Sequence, residues 1–213
     1  MHIPDGFLSP PVFASGWVLA LGSLSFCLKK TREVLKDKMI PLMGVMAAFI
    51  FAAQMLNFPV LGGTSGHLLG GVLAAVALGP FAGFIVISIV LVVQCLVFQD
   101  GGITALGANI VNMGLAGTIV SYYIYAALKK TLFKNNTLAA VFLSAWVSVI
   151  LASGLCALEL AFSQASPLKV VLPAMLFVHL FIGLGEAIIT GMVVMFIIKV
   201  RPDLIYTKPA GGE

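Results

Sequence analysis

Apolar residues in this chain fall in long unbroken runs, without the period of two or three to four that marks half-buried strands and surface helices. The runs cover about 11–28, 39–57, 66–79, 80–99, 105–128, 138–162 and 170–198. A membrane span takes about 20 apolar residues, with a range of ~17–25, so the pattern predicts helices that cross a bilayer. The first run follows Pro10-Pro11, which suit the opening turn of a helix. The third is short, and only Gly79-Pro80 separates it from the fourth.

The basic residues decide whether 66–99 is one span or two. They cluster at Lys29, Lys30, Arg32, Lys36 and Lys38, then Lys129, Lys130 and Lys134, then Lys199, Arg201 and Lys208. With seven spans and the N-terminus outside, all of these face the cytoplasm and only Lys169 lies outside. Merging 66–99 sends the second and third clusters to the outer side. Cytoplasmic loops carry the excess of Lys and Arg. The expectation is therefore an all-α bundle of seven transmembrane helices, N-terminus outside and C-terminus cytoplasmic, as one domain over residues 1–213. The same parity brings His2, Asp5, the segment Asn57–His67 and Gln99-Asp100-Gly101-Gly102 to one outer mouth.

Composition removes the competing classes. The chain has 213 residues, 61% hydrophobic and 9% charged, against about 45–50% and ~25% in soluble domains; its mean hydropathy is +1.12. That excludes a soluble enzyme, a disordered chain and a nucleic-acid-binding domain. The net charge of +4 sits in the clusters between apolar runs, a sign of topology and not of phosphate recognition. Cys27, Cys95 and Cys156 are odd in number and widely spaced, so they read as small packing residues. Gly70-Gly71, Gly79 and Gly83 supply spacings for close helix contact. The run FPVLGGTSGH is too polar and broken for a helix and reads as an irregular loop dipping inward.

The start, MHIPDGFLSPP, has no basic residue ahead of the first apolar run and is not a secretory signal. Met1 is expected to remain, because the residue after it is bulky. Residues 1–10 then form a segment with a chelating start: the Met1 amine, the His2 amide nitrogen and His2 Nδ1 close a five- and a six-membered ring on one ion. Planar nitrogen donors favour Ni(II) or Cu(II). One in-plane ligand is missing, and His67, on the same face, is the natural fourth. Thr64 and Ser65 are candidates to hold its imidazole from behind, and Asp5-Gly6 with Pro4 favours an ordered turn. The plain alternatives are a polar residue at a frayed terminus for His2 and an interhelical hydrogen bonder for His67.

His179 and Glu186, on one face of the last run, and Glu159 in the sixth are buried ionisable residues of the kind that carry function in membranes. For His179 and Glu186 a structural role ranks first: partners of each other or of Asn109, Asn112 or Gln94. An intramembrane metal-dependent enzyme using His179 and Glu186 is the alternative, although no HExxH is present. No GxxxxGK[ST] loop is present either, so energy for uphill movement would come from a partner, and this chain is expected not to be an enzyme. Ala48 and Ala52, with Ala47 and Ala53, give an AxxxA spacing for docking such a partner.

Four segments, MHIPDGFLSP, NFPVLGGTSGHLLGG, FQDGGITALGANIVNMG and HLFIGLGEAIIT, closely resemble the CbiM/NikM family. These are substrate-binding S components of energy-coupling-factor (ECF) transporters for nickel and cobalt. The resemblance implies a seven-helix S component in a prokaryotic cell membrane. It also implies Ni2+ or Co2+ as transported substrate, with no cofactor, bound by the Met1 amine, the His2 amide and imidazole, and His67. The implied partners are a transmembrane coupling (T) subunit, two ABC ATPase subunits and a small accessory membrane subunit.

Overall fold

A computed structural model describes residues 1–35, 37, 39–56, 58–60, 64–134 and 136–206, with backbone alone for 58–60, 64 and 65. The described residues form seven helices: α1 Pro10–Val34, α2 Met39–Gln54, α3 Gly71–Leu78, α4 Pro80–Phe98, α5 Leu106–Thr131, α6 Thr137–Phe162 and α7 Leu168–Val200. A short 3₁₀ turn, Pro202–Leu204, follows. Five of them (α1, α4, α5, α6 and α7) are long and apolar enough to cross a membrane, and α2 is a shorter apolar helix. Large apolar side chains line the outside, among them Val18, Phe26, Val45, Phe177, Phe181 and Phe196. Such a surface suits lipid and not water, and the protein is a multi-pass membrane protein.

α3 has the sequence GVLAAVAL, apolar all round, and every one of its residues is buried. A helix with no polar face belongs inside, and α3 packs against α4, α5, α6 and α7 at the centre of the bundle. Its eight residues span about 12 Å, well short of the run at 66–79. The remainder of that run is the extended approach through His67 to Gly70. Gly79 ends α3 with φ +87°, a conformation that favours glycine, and Pro80 then starts α4 in its first turn. Chain reversal at this dipeptide is what keeps the third and fourth helices separate. A Cβ on Gly83 would stand 2.9 Å from the Ala75 backbone nitrogen, so the glycine spacing serves the α3–α4 contact.

FPVLGGTSGH is not an irregular loop in its described part. β1 Phe58–Val60 pairs antiparallel with β2 Thr64–Gly66, Pro59 opposite Ser65; residues 61–63 lie outside the described residues. Pairing lets the two strands satisfy their own backbone groups, which a reading by polarity overlooks.

Midway along α5 the turns widen over Ile110–Val120 into π-helical geometry. Thr118 and Ser121 follow it with their hydroxyls, which donate to the carbonyls of Met113 at 3.0 Å and Ala116 at 2.8 Å, five residues back in each case. One end of the bundle gathers the N-terminal segment, the end of α4 and the start of α5. The other gathers the Gly79 turn and Tyr206, whose N–H donates to the Val76 carbonyl at 2.9 Å.

Candidate metal centre

Residues 1–8 fold back into the bundle instead of fraying. Met1 and Ile3 are fully buried and His2 is 3% exposed. Asn109 of α5 holds Ile3 from both sides: its Oδ1 accepts the Ile3 N–H at 2.9 Å, and its Nδ2 donates to the Ile3 carbonyl at 3.2 Å. The Gly102 N–H donates to the same carbonyl at 2.9 Å. A Cβ on Gly102 would overlap the Asp5 backbone, so this close approach requires glycine. Asp5 fastens the turn. Its carboxylate accepts the Ile103 N–H at 3.1 Å, the Thr104 N–H at 2.8 Å and the Thr104 hydroxyl at 2.5 Å. Those donors, the hydroxyl foremost, hold the Asp5 carboxyl below its ordinary value. Asp5 therefore anchors the segment to the start of α5, and the carboxylate beside His2 is that of Asp100.

The buried end presents neutral nitrogen donors. Burial strips water from the Met1 ammonium and lowers its pKa to about 5, against the opposite pull of nearby Cys156 and Asp100. At pH 7 the amine has its lone pair available. His2 Nε2 lies 3.0 Å from Gln94 Oε1; an amide oxygen only accepts, so the proton sits on Nε2 and the lone pair on Nδ1. Burial, then the charge of the amine, pushes the His2 ring down to about 3, and it too is neutral. Nδ1 stands 3.4 Å from Asp100 Oδ1. A lone pair facing a carboxylate oxygen is a setting that a cation stabilises.

His67 follows β2 directly and is 1% exposed. Its Nδ1 donates to the Leu68 carbonyl at 2.6 Å, while Nε2 is buried with no hydrogen-bond partner among the described residues. One nitrogen donating to a carbonyl and the other held as a base is how metal-ligating histidines are commonly oriented. The His67 ring stacks on His2, centroids 4.5 Å apart and planes at 25°. Nearly parallel rings cannot both place an ion in their planes, so sharing one ion requires a ring to swing out of the stack. Among the described residues no three His, Cys, Asp or Glu side chains form a metal-holding cluster. An ion between these rings would depend on the main-chain nitrogens of Met1 and His2. The side chains of Thr64 and Ser65 lie outside the described residues.

Glu186 has partners the sequence reading did not foresee. Its Oε2 accepts the Leu69 N–H and its Oε1 the Gly70 N–H, each at 2.9 Å. The carboxylate thus holds the two residues that lead into α3, and it pins the backbone two residues beyond His67. With both oxygens engaged it is poorly placed to be a general base. Gln94 and Asn109, expected near His179 or Glu186, instead hold His2 and Ile3. Asn112 donates to Glu159 at 2.6 Å, and His179 Nδ1 donates to the Met175 carbonyl at 2.7 Å. Glu186→Gln keeps the shape but turns an amide N–H₂ toward a backbone donor; an unsatisfied buried donor costs about 1–3 kcal/mol. The variant is expected to melt clearly below wild type in detergent. An unchanged melting temperature would mean that another contact holds the loop.

On α2, Met46, Ile50 and Gln54 face inward, while Ala48 and Ala52 are exposed. The AxxxA face is therefore not used in this protein's own bundle.

The family described as cobalt uptake substrate-specific transmembrane region, CbiM, matches residues 2–204. A putative fused nickel transport protein NikMN of Archaeoglobus fulgidus is 43% identical over 215 residues, which cover all of this chain and 70% of that protein. A putative cobalt transport protein CbiM of the same organism is 33% identical over 96% of this chain and 98% of its own. The crystal structure of a truncated transition metal transporter superposes with a TM-score of 0.88 at 36% identity, over 93% of this chain and 99% of that one.

Proposed function

Because the chain belongs to the CbiM family of cobalt-uptake transmembrane proteins, and is thus a metal-transport component of a prokaryotic cell membrane, we propose that it is the substrate-binding S component of an ECF-type importer. Ni2+ or Co2+ is captured at the outer face by the Met1 amine, the His2 amide nitrogen and Nδ1, and His67. The observation that carries this reading is the buried N-terminus, tied to Asn109 and Asp5's partners so that His2, next to the Met1 amine, stacks on His67. The amide proton is the one the ion must displace, which Ni(II) and Cu(II) drive well. On this reading the N-terminus is outside and the basic ends of α1, α5 and α7 are cytoplasmic.

Energy comes from partners: a transmembrane T subunit, two ABC ATPase subunits and a small accessory membrane subunit. The exposed Ala48–Ala52 face of α2 is the docking surface for a partner helix, since small residues let backbones approach in lipid. Purified protein is expected to bind one equivalent of Ni2+ or Co2+. Ala48→Leu is expected to retain that equivalent while metal uptake in cells falls about tenfold or more, as a bulky side chain interrupts the contact. Absent metal binding refutes the function. Unimpaired uptake and co-purification of the T subunit refute the docking face.

A further inference from the structure

α1 meets α5 tightly near its start and loosely further on. A Cβ on Gly16 would stand 2.8 Å from the Ala108 backbone nitrogen, and one on Gly107 2.5 Å from that of Trp17. Gly22, six residues or about 9 Å along α1, has nothing within 4 Å of the place a Cβ would take. A hollow of about 410 Å³ opens there, lined by Gly22, Ser23 and Phe26 of α1, Phe81 of α4, and Ile119 and Tyr123 of α5. Phe26 and Phe81 meet edge to face in it, centroids 5.6 Å apart.

Tyrosines mark its depth in the bilayer. The Tyr123 ring touches that of Tyr122, which in turn touches Tyr125 and Tyr206. Tyrosine gathers where hydrocarbon meets headgroups, and the Lys129 ammonium lies over the Tyr125 ring at 5.8 Å. Positive charge follows directly along α1. Lys29 stands three residues past Phe26 and seven past Gly22, so it continues their edge of the helix. Lys29 and Arg32, with Ser25, Leu28 and Glu33, line a second hollow of about 460 Å³. Glu33 is engaged by Lys30 at 3.0 Å, and Lys29 and Arg32 have no acidic partner among the described residues. Residues 29–38 carry five basic and two acidic residues, a net charge of +3.

An apolar trough that leads at headgroup depth to two cations fits an amphiphile with a hydrocarbon tail and an anionic head. A helix is about 10 Å across, so a single turn fills roughly 400 Å³; the hollow would seat barely one turn of a partner helix, whereas an acyl chain is slender enough to lie along it. Basic pockets between transmembrane helices are a setting for anionic headgroups. We infer that the groove between α1 and the α4–α5 pair binds one anionic phospholipid, its acyl chain against Gly22 and Phe26 and its phosphate at Lys29 and Arg32.

The test is native mass spectrometry of the full chain titrated with dioleoyl phosphatidylglycerol and, separately, dioleoyl phosphatidylcholine. Wild type is expected to retain one phosphatidylglycerol about tenfold more tightly than phosphatidylcholine, as two basic residues near an anionic head provide. Lys29→Gln with Arg32→Gln is expected to reduce that preference to about twofold or less. Lys134→Gln with Lys199→Gln removes the same charge from the other basic clusters and is expected to leave it intact. Gly22→Leu fills the trough without meeting a neighbour and is expected to weaken phosphatidylglycerol about tenfold, with circular dichroism and melting temperature as in wild type. An equal loss in the Lys134/Lys199 pair would mean diffuse surface charge and overturn the site. Wild-type retention in Gly22→Leu would overturn the acyl trough. Lipid retention indifferent to all these changes, with T-subunit co-purification lost in Gly22→Leu, would overturn the lipid and give the groove to a protein partner. Lipid retention is read without metal, so a failure of metal binding leaves this result standing.

Discussion

Adding one residue before Met1, or acetylating its amine, is expected to lower Ni2+ affinity by more than about a thousandfold, some 4 kcal/mol. Both changes turn an amine into an amide. The amine lies in a site where burial lowers its pKa to about 5, so at neutral pH it is uncharged. An amide nitrogen offers no lone pair until it is deprotonated, and the five-membered ring is lost. Space works in the same direction, because Met1 is fully buried beside Cys156 and Asp100. A tag after Glu213 changes neither feature and is expected to bind as wild type does. Metal stoichiometry on the two tagged forms separates the readings. Coordination by histidine side chains alone would give equal occupancy, and that result would refute the amine–amide–imidazole site.

The bundle was legible because its signals are local. Long apolar runs mark spans, and Gly79-Pro80 marks a reversal that the Lys and Arg clusters require. His2 and His67 stood out because a histidine next to an N-terminal amine offers nitrogens at chelating spacing, and a second histidine was expected on the same face. The residues that hold them did not stand out. Gln94 and Asn109 meet residues 2 and 3 across 92 and 106 positions of chain, and no local pattern encodes such a contact. Glu186 was read for a side-chain partner, whereas it serves the backbone of Leu69 and Gly70, and backbone groups leave no mark on a sequence. Asp5 and Asp100 show the same limit. Parity placed both at one mouth, but only the geometry shows Asp5 tied to Thr104 and Asp100 facing His2. The widened turns of α5 have no hydrophobic period of their own to announce them.

His67→Ala is expected to reduce Ni2+ affinity by about a hundredfold or more, roughly 3 kcal/mol, while the protein stays folded. The ring's hydrogen bond is to the carbonyl of its own neighbour, Leu68, so its removal strands no distant group. The loop keeps its anchor in Glu186, and the cost in stability is that of an emptied ring volume. Glu186→Gln should show the reverse balance, with stability lost first and metal affinity following only as the loop loosens. Thermal melts and metal titrations on the two variants therefore form a crossed pair. A ligand moves the titration and a positioning residue moves the melt. If His67→Ala bound Ni2+ as wild type does, the fourth in-plane donor would have to be sought elsewhere, and Asp100, 3.4 Å from His2 Nδ1, would be the first place to look. A carboxylate oxygen there in place of an imidazole would make the donor set harder and weaken its preference for Ni(II) over Co(II). The ratio of the two metals' affinities in His67→Ala thus reports which donor closes the plane.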